Sequence, residues 1–150
     1  MRNGLIGAVI ALFVAFFVPM ATAGDLGTPE EAKAMAERAA ELIRSKGAAA
    51  AFAEFDAPGN QFHDRDLYVF AMTPDGINRY HGVKKALEGR NLLSLKDVDG
   101  KSFVQEMVSV KDAGWVDYKW QNPQTKVVEQ KTSYMVRVGD YLVGVGAYKR

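Results

Sequence analysis

The sequence predicts an α+β domain: a five-stranded antiparallel sheet with a long N-terminal helix on one face and a loop-helix crossover closing a pocket on the other. Three observations carry this. Gly114 to Tyr148 contains three aromatic, β-branched runs punctuated by Asn122-Pro123 and Gly139-Asp140, the pattern of strands joined by tight turns. Upstream, Thr73-Pro74-Asp75-Gly76 separates two further strand-like runs. Ahead of these, apolar side chains recur at helical spacing from Ala32 to Ile43.

The first 23 residues stand apart. Met1-Arg2 gives a positive start, Leu5 to Val18 is apolar throughout, and Ala21-Thr22-Ala23 supplies small residues at a cleavage site. The apolar run is short of the roughly 20 residues that span a bilayer. It reads as a secretory signal cleaved after Ala23, with an uncleaved anchor as the alternative. Residues 24–150 then form one domain, large enough to bury a core without cross-links. With no second apolar span, the mature protein is expected to lie in the periplasm without stable membrane insertion.

Thr28-Pro29-Glu30-Glu31 opens the helix. Thr28 caps, Pro29 suits the first turn, and Thr28 with Glu31 fits a capping box. The helix is expected to end near Gly47 and to be followed by a short alanine-rich helix over 48–54. Asp56 to Asn60 is loop. Asp66 to Met72 and Ile77 to Gly82 form a hairpin. Val83 to Gly114 is more charged and carries a helical pattern over 102–110. Three strands follow, over 114–121, 127–138 and 141–147.

Composition excludes several functions. The chain of 150 residues has no cysteine, which removes disulfides, thiolate catalysis and cysteine-ligated metals. A net charge of +1 gives no reason to expect nucleic acid as a partner. No cofactor is expected. His63-Asp64-Arg65-Asp66 contains metal-capable groups but reads as a charged loop, so no metal site is expected either.

The run Gly114-Trp115-Val116-Asp117-Tyr118-Lys119-Trp120, then Asn122-Pro123, Lys131, Ser133-Tyr134, Gly139-Asp140 and Gly144-Val145-Gly146 resembles the single Cache domain. Asn91-Leu92-Leu93, Leu95-Lys96-Asp97 and Asp99-Gly100-Lys101 resemble its crossover. The resemblance covers about Thr28 to Tyr148. It implies a PAS-like extracytoplasmic sensor module with a pocket for a small organic acid or amino acid between sheet and crossover. Such domains usually sit in chemoreceptors or histidine kinases. Here nothing follows Arg150, so the expectation is a free-standing binder without signalling output in the chain, or a subunit reporting to a separate membrane sensor kinase or receptor. Ile77 to Gly82 matches the family's second strand only loosely.

Candidate ligand-binding residues follow from residue type and parity. Tyr118 and Trp120 share one face of their strand and suit a pocket wall. Trp115, Asp117 and Lys119 share the other. Lys131 is a mid-strand cation able to neutralise a carboxylate. Tyr134 has the opposite parity and joins the same cavity only if the strand twists or bulges. Arg79 and His81 share parity on the second strand; the arginine can clamp a carboxylate and the histidine can donate to it. Tyr68, Phe70 and Met72 read as core or pocket wall.

Two other classes fit the same element order. One is an isomerase-like enzyme of the cone-shaped helix-plus-curved-sheet type, with His81 or Asp117 as acid or base, although no nucleophile–base pair is legible. The other is an interaction subunit docking on a membrane sensor kinase. The leader reading has a direct check. Mass spectrometry of the exported protein should give an N-terminus at Gly24, and a chain retaining Met1 would contradict cleavage.

Overall fold

The computed structural model describes residues 26–149, so the leader and its cleavage site lie outside the described residues. Helix α1 spans Pro29–Lys46 and α2 spans Ala48–Phe55. The capping box at Thr28 is formed in full: the Glu31 amide donates to the Thr28 hydroxyl, and the Thr28 amide donates to the Glu31 carboxylate. Gly47 joins the two helices at φ 82°, a left-handed conformation that glycine adopts without strain.

Strands β1 (His63–Asp64), β2 (Leu67–Met72), β3 (Asn78–His81), β4 (Ala113–Gln121), β5 (Val128–Val138) and β6 (Tyr141–Tyr148) follow. All pairings are antiparallel. The main sheet runs β3-β2-β6-β5-β4, as five strands were expected to do. His63-Asp64, expected as loop, adds a two-residue strand beside β3 on the same edge of β2. Between β3 and β4 run a short 3-10 turn at Lys85–Leu87 and helix α3, Phe103–Ser109.

Strand alternation divides the core in two. Leu67, Val69 and Ala71 of β2 and Val143, Val145 and Ala147 of β6 face α1, against Ala32, Met35, Ala36, Ala39 and Ile43. The even-numbered residues of β2 face the crossover: Tyr68, Phe70 and Met72 pack with Leu142, Met135, Val116 and Tyr118 against Phe103, Val104, Met107 and Leu92. Two glycines on that second face of β6 matter. A Cβ at Gly144 would meet Met135 and Phe70, and one at Gly146 would meet Ser133 and Lys131.

The crossover is fastened to the sheet at both ends. Asn78 N donates to Arg90 O at 2.9 Å, and Leu92 N donates to Gly76 O at 2.8 Å. At the far end Asp97 is the hub. Its carboxylate accepts from the Asp99, Lys101 and Lys119 amides at 3.0, 2.9 and 3.0 Å. The last of these sits on the outer edge of β4, and the Lys101 ammonium donates to Asp117 O on the same edge. Crossover groups thus satisfy an edge strand that would otherwise be open. Burial would raise the Asp97 pKa, but the three amide donors outweigh it and hold the carboxyl below its usual range. Asp97→Ala should cost about 1–3 kcal/mol, the penalty for stranding its donors. Hydrogen exchange should speed up at the Lys101 and Lys119 amides while the β5–β6 ladder stays protected, and unchanged exchange there would contradict the hub.

Candidate functional site

The site lies on the crossover face of the sheet, and strand register builds it. Lys131 is paired directly with Tyr118 on β4 and with Tyr148 on β6. Directly opposed side chains on one face are near neighbours, so the lysine is boxed between two tyrosines. Val69 pairs with Val145, which sets Tyr68 beside Gly146. Since Gly146 has no side chain, Lys131 leans across it and donates to the Tyr68 hydroxyl at 2.9 Å. Its ammonium lies 4.1 Å from the Tyr68 ring centroid, 4.9 Å from Tyr148, 5.8 Å from Phe70 and 6.0 Å from Tyr118.

Lys131 is 0% exposed, and among the described residues no carboxylate lies within ion-pairing distance of it. Burial pushes its pKa down to about 7; the Asp66 carboxylate opposes this and Lys84 adds to it. The aromatic faces around the amine favour its charged form. Burial likewise raises the Tyr68, Tyr118 and Tyr148 hydroxyl pKa values. Tyr118 shares a hydrogen bond with Ser133 at 3.0 Å, and its ring stacks on Phe103 at 4.5 Å.

In front of the lysine is a cavity lined by Tyr68, Phe70, Asn78, His81, Tyr118 and Trp120 on the sheet side. Leu87, Leu92 and Leu95 of the crossover and Phe103, Val104 and Met107 of α3 form its other wall. The enclosed room is about 20 Å³, space for about one water. Lys131 sits directly behind the Tyr68 hydroxyl rather than on the cavity wall. The room present is too small for an organic acid of a few carbons.

The structure brings together four of the residues that the sequence singled out: Lys131, Tyr118, Trp120 and His81. It does not bring in the other three. The β5 register is continuous with both neighbours, so Tyr134 keeps the parity opposite to Lys131 and lies on the α1 face. There it packs on Trp115 at 5.0 Å and beneath the Lys33 ammonium at 5.3 Å. Trp115 itself is 42% exposed. Arg79 is exposed, and a bulge is the reason. Met72 pairs with Asn78 and Ala71 with Tyr80, so Arg79 is the extra residue turned out to solvent.

The same bulge turns Asn78 and His81 to the cavity together, where regular alternation would have parted them. Sequence reasoning passed over Asn78 for this reason, and it passed over Tyr148 because its strand was ended at Ala147. The strand's own alternation was the signal for Tyr148, since it continues through that residue. His81 Nδ1 accepts from the Lys84 and Val83 amides at 2.9 and 3.3 Å, which leaves Nε2 as the protonated donor. Burial, aided by Lys131, Lys84 and Lys85, lowers its pKa to about 3, so the imidazole is neutral at ordinary pH. Asp117 stands on the other face of β4, paired with Lys149 at 3.2 Å.

Comparison with known proteins agrees with this architecture. The family model described as Single Cache domain 2 matches residues 6–150. The sensor histidine kinase MctS of Rhizobium johnstonii is 33% identical over 90 residues, 57% of this chain and 20% of the kinase. The methyl-accepting chemotaxis protein McpP of Pseudomonas putida is 30% identical over 91 residues, 57% of this chain and 16% of the receptor. The matched region is thus a fifth or less of these relatives. Among solved structures, a methyl-accepting chemotaxis protein from Vibrio parahaemolyticus superposes with a TM-score of 0.65 at 25% identity, covering 79% of this chain and 86% of that one. A Cache chemosensory domain described in terms of carboxylic acid recognition superposes at 0.61 with 23% identity, covering 81% and 88%. The fold is that of these sensor domains and not an open cone.

Gly146 offers a test of how the lysine is positioned. Gly146→Ala places a methyl group where Ser133 and Lys131 now lie. It should cost about 1–3 kcal/mol in urea unfolding, as overpacking does. Full wild-type stability would show that Lys131 does not need the gap.

Proposed function

The chain belongs to the single Cache domain 2 family, and we propose that it serves as an extracytoplasmic receptor for a small organic acid whose carboxylate is held by Lys131. One observation carries the reading: a fully buried amine without an acidic partner among the described residues. Burying a cation in this way is costly for folding and useful for binding an anion. The carboxylate completes the ion pair, and Tyr68, Tyr118 and Trp120 enclose the carbon chain. The neutral His81 adds a donor. Carboxylic acid recognition is also what is named for one structural neighbour.

In this reading the domain works in the periplasm after removal of residues 1–23. It is read as a binding module and not an enzyme, with one buried amine set among neutral aromatic and imidazole side chains rather than a nucleophile–base pair. The partner it reports to is of the sensor-kinase or chemoreceptor class, as in the relatives. Occupancy reaches that partner through the crossover, which must move to admit the acid.

The reading is tested by thermal denaturation with short carboxylates. An acid at 100 times its Kd should stabilise the fold by about 2.7 kcal/mol. Lys131→Met removes the amine but keeps the bulk, so the free variant should be as stable as wild type or more so. Its acid-induced shift should vanish. A shift that survives in Lys131→Met would contradict the assignment.

The pH dependence has a definite sign. The unfolded lysine titrates near 10.4 and the folded one near 7. Between these values the unfolded chain holds more protons, so the free protein gains stability as pH rises through that window. A bound carboxylate restores the proton, so acid affinity should fall above pH 7 by up to tenfold per unit. Calorimetry in two buffers should show proton uptake on binding at pH 8.

A further inference from the structure

We propose that Asp66 is the internal counter-charge of Lys131: the two form one charge pair, held apart across the sheet, that keeps the amine ready for an anion. Among the described residues they are the one carboxylate and the one ammonium that are fully buried, each 0% exposed. Aspartate and lysine are almost never buried in full unless paired. Each is also incompletely satisfied. One Asp66 oxygen accepts from the Gly27 amide at 2.7 Å, and the other has no hydrogen-bond partner among the described residues. The Lys131 ammonium carries three donors, and the bond to Tyr68 at 2.9 Å engages one of them. Readiness for an anion rests on the carboxylate reading; the pair itself does not.

Strand register puts the two in one row on one face. Val69 pairs with Val145, and the same register carried to the start of β2 sets Asp66 opposite Tyr148. Tyr148 is paired in turn with Lys131. Asp66 shares the parity of Tyr68, which accepts from the lysine. Lys131 leans over Gly146 toward β2, so its charge moves along the row toward the aspartate. The range is longer than a contact ion pair, but a buried charge is poorly screened. Burial is the main cause that raises the Tyr68 and Tyr148 pKa values, and the Asp66 charge adds to both, as a carboxylate in that row would.

Few other charges face the amine. Tyr68 of β2, Tyr118 of β4 and Tyr148 of β6 are neutral phenols, and His81 of β3 is neutral. Leu87, Leu92 and Leu95 of the crossover and Phe103, Val104 and Met107 of α3 carry no charge. Glu129, next along β5 on the same face, is engaged by Asn122 and Thr125 at 2.9 and 3.1 Å. Lys84 of the crossover is a second cation. Burial lowers the Lys131 pKa, Asp66 acts against it, and Lys84 adds to it. The competing role for Asp66 is simply to fasten Gly27 to the start of β2.

Lysine titration by NMR on the full chain separates these roles without any ligand. In protein carrying 13C-labelled lysine, the Lys131 signal is the one missing from Lys131→Met. Asp66→Asn keeps an acceptor for the Gly27 amide and removes the charge. The Lys131 midpoint should then fall by about one pH unit, as is usual when a nearby opposite charge is lost. An unmoved midpoint overturns the pair and leaves Asp66 only the fastening of Gly27. Should Asp66→Asn not fold, the unaltered protein decides. Its Asp66 carboxyl carbon should report a carboxylate at pH 7, and a protonated acid there overturns the assignment. Calorimetry with propanoate reads the consequence for binding. The loss of affinity with rising pH should begin about one unit lower in Asp66→Asn than in wild type. At pH 5.5 the variant should bind as well or better, because no second anion faces the acid. An equal loss at every pH overturns the assignment. If propanoate binds neither protein, the carboxylate reading fails, and the lysine midpoint still decides the pair.

Discussion

A lysine amine closed off from water beneath aromatic rings, with no acid beside it among the described residues, is the constraint from which the rest of this structure follows. Lys131 is held by a single bond to the Tyr68 hydroxyl and by the faces of Tyr68 and Tyr148. Such a group contributes little to folding stability, since the loss of hydration outweighs one neutral hydrogen bond. Its presence is understandable when the anion comes from outside.

The fold supplies what that lysine requires. Strand pairing places Tyr118 and Tyr148 on either side of it. The missing side chain at Gly146 lets it cross to Tyr68. The crossover seals the face with leucines and with α3, and Asp97 fastens that cover to the edge of β4. Arg137 donates to the Val108 and Val110 carbonyls at 2.9 and 3.0 Å, which ties the end of α3 to β5. The cover is thus anchored at its ends and apolar in its middle.

Much of this was legible in the sequence. The hydrophobic alternation of β2, β4, β5 and β6 and the capping box at Thr28 placed the main elements to within a residue or two. Proline and glycine turns marked where the strands end. Parity alone separated Tyr134 from Lys131, because no irregularity interrupts β5. What could not be read was the bulge at Arg79, which depends on pairing across β2 and leaves no local pattern. It broke the expected pairing of Arg79 with His81 and hid Asn78. The size of the cavity was equally out of reach, because it depends on how far Leu87, Leu92 and Leu95 descend onto the sheet.

The most direct test is a crystal structure grown with a short carboxylate. A carboxylate oxygen should lie about 3 Å from Lys131 Nζ, with the Leu87 to Leu95 stretch displaced outward and the helices unmoved. An acid seated elsewhere, with Lys131 still bonded to Tyr68 alone, would contradict the account.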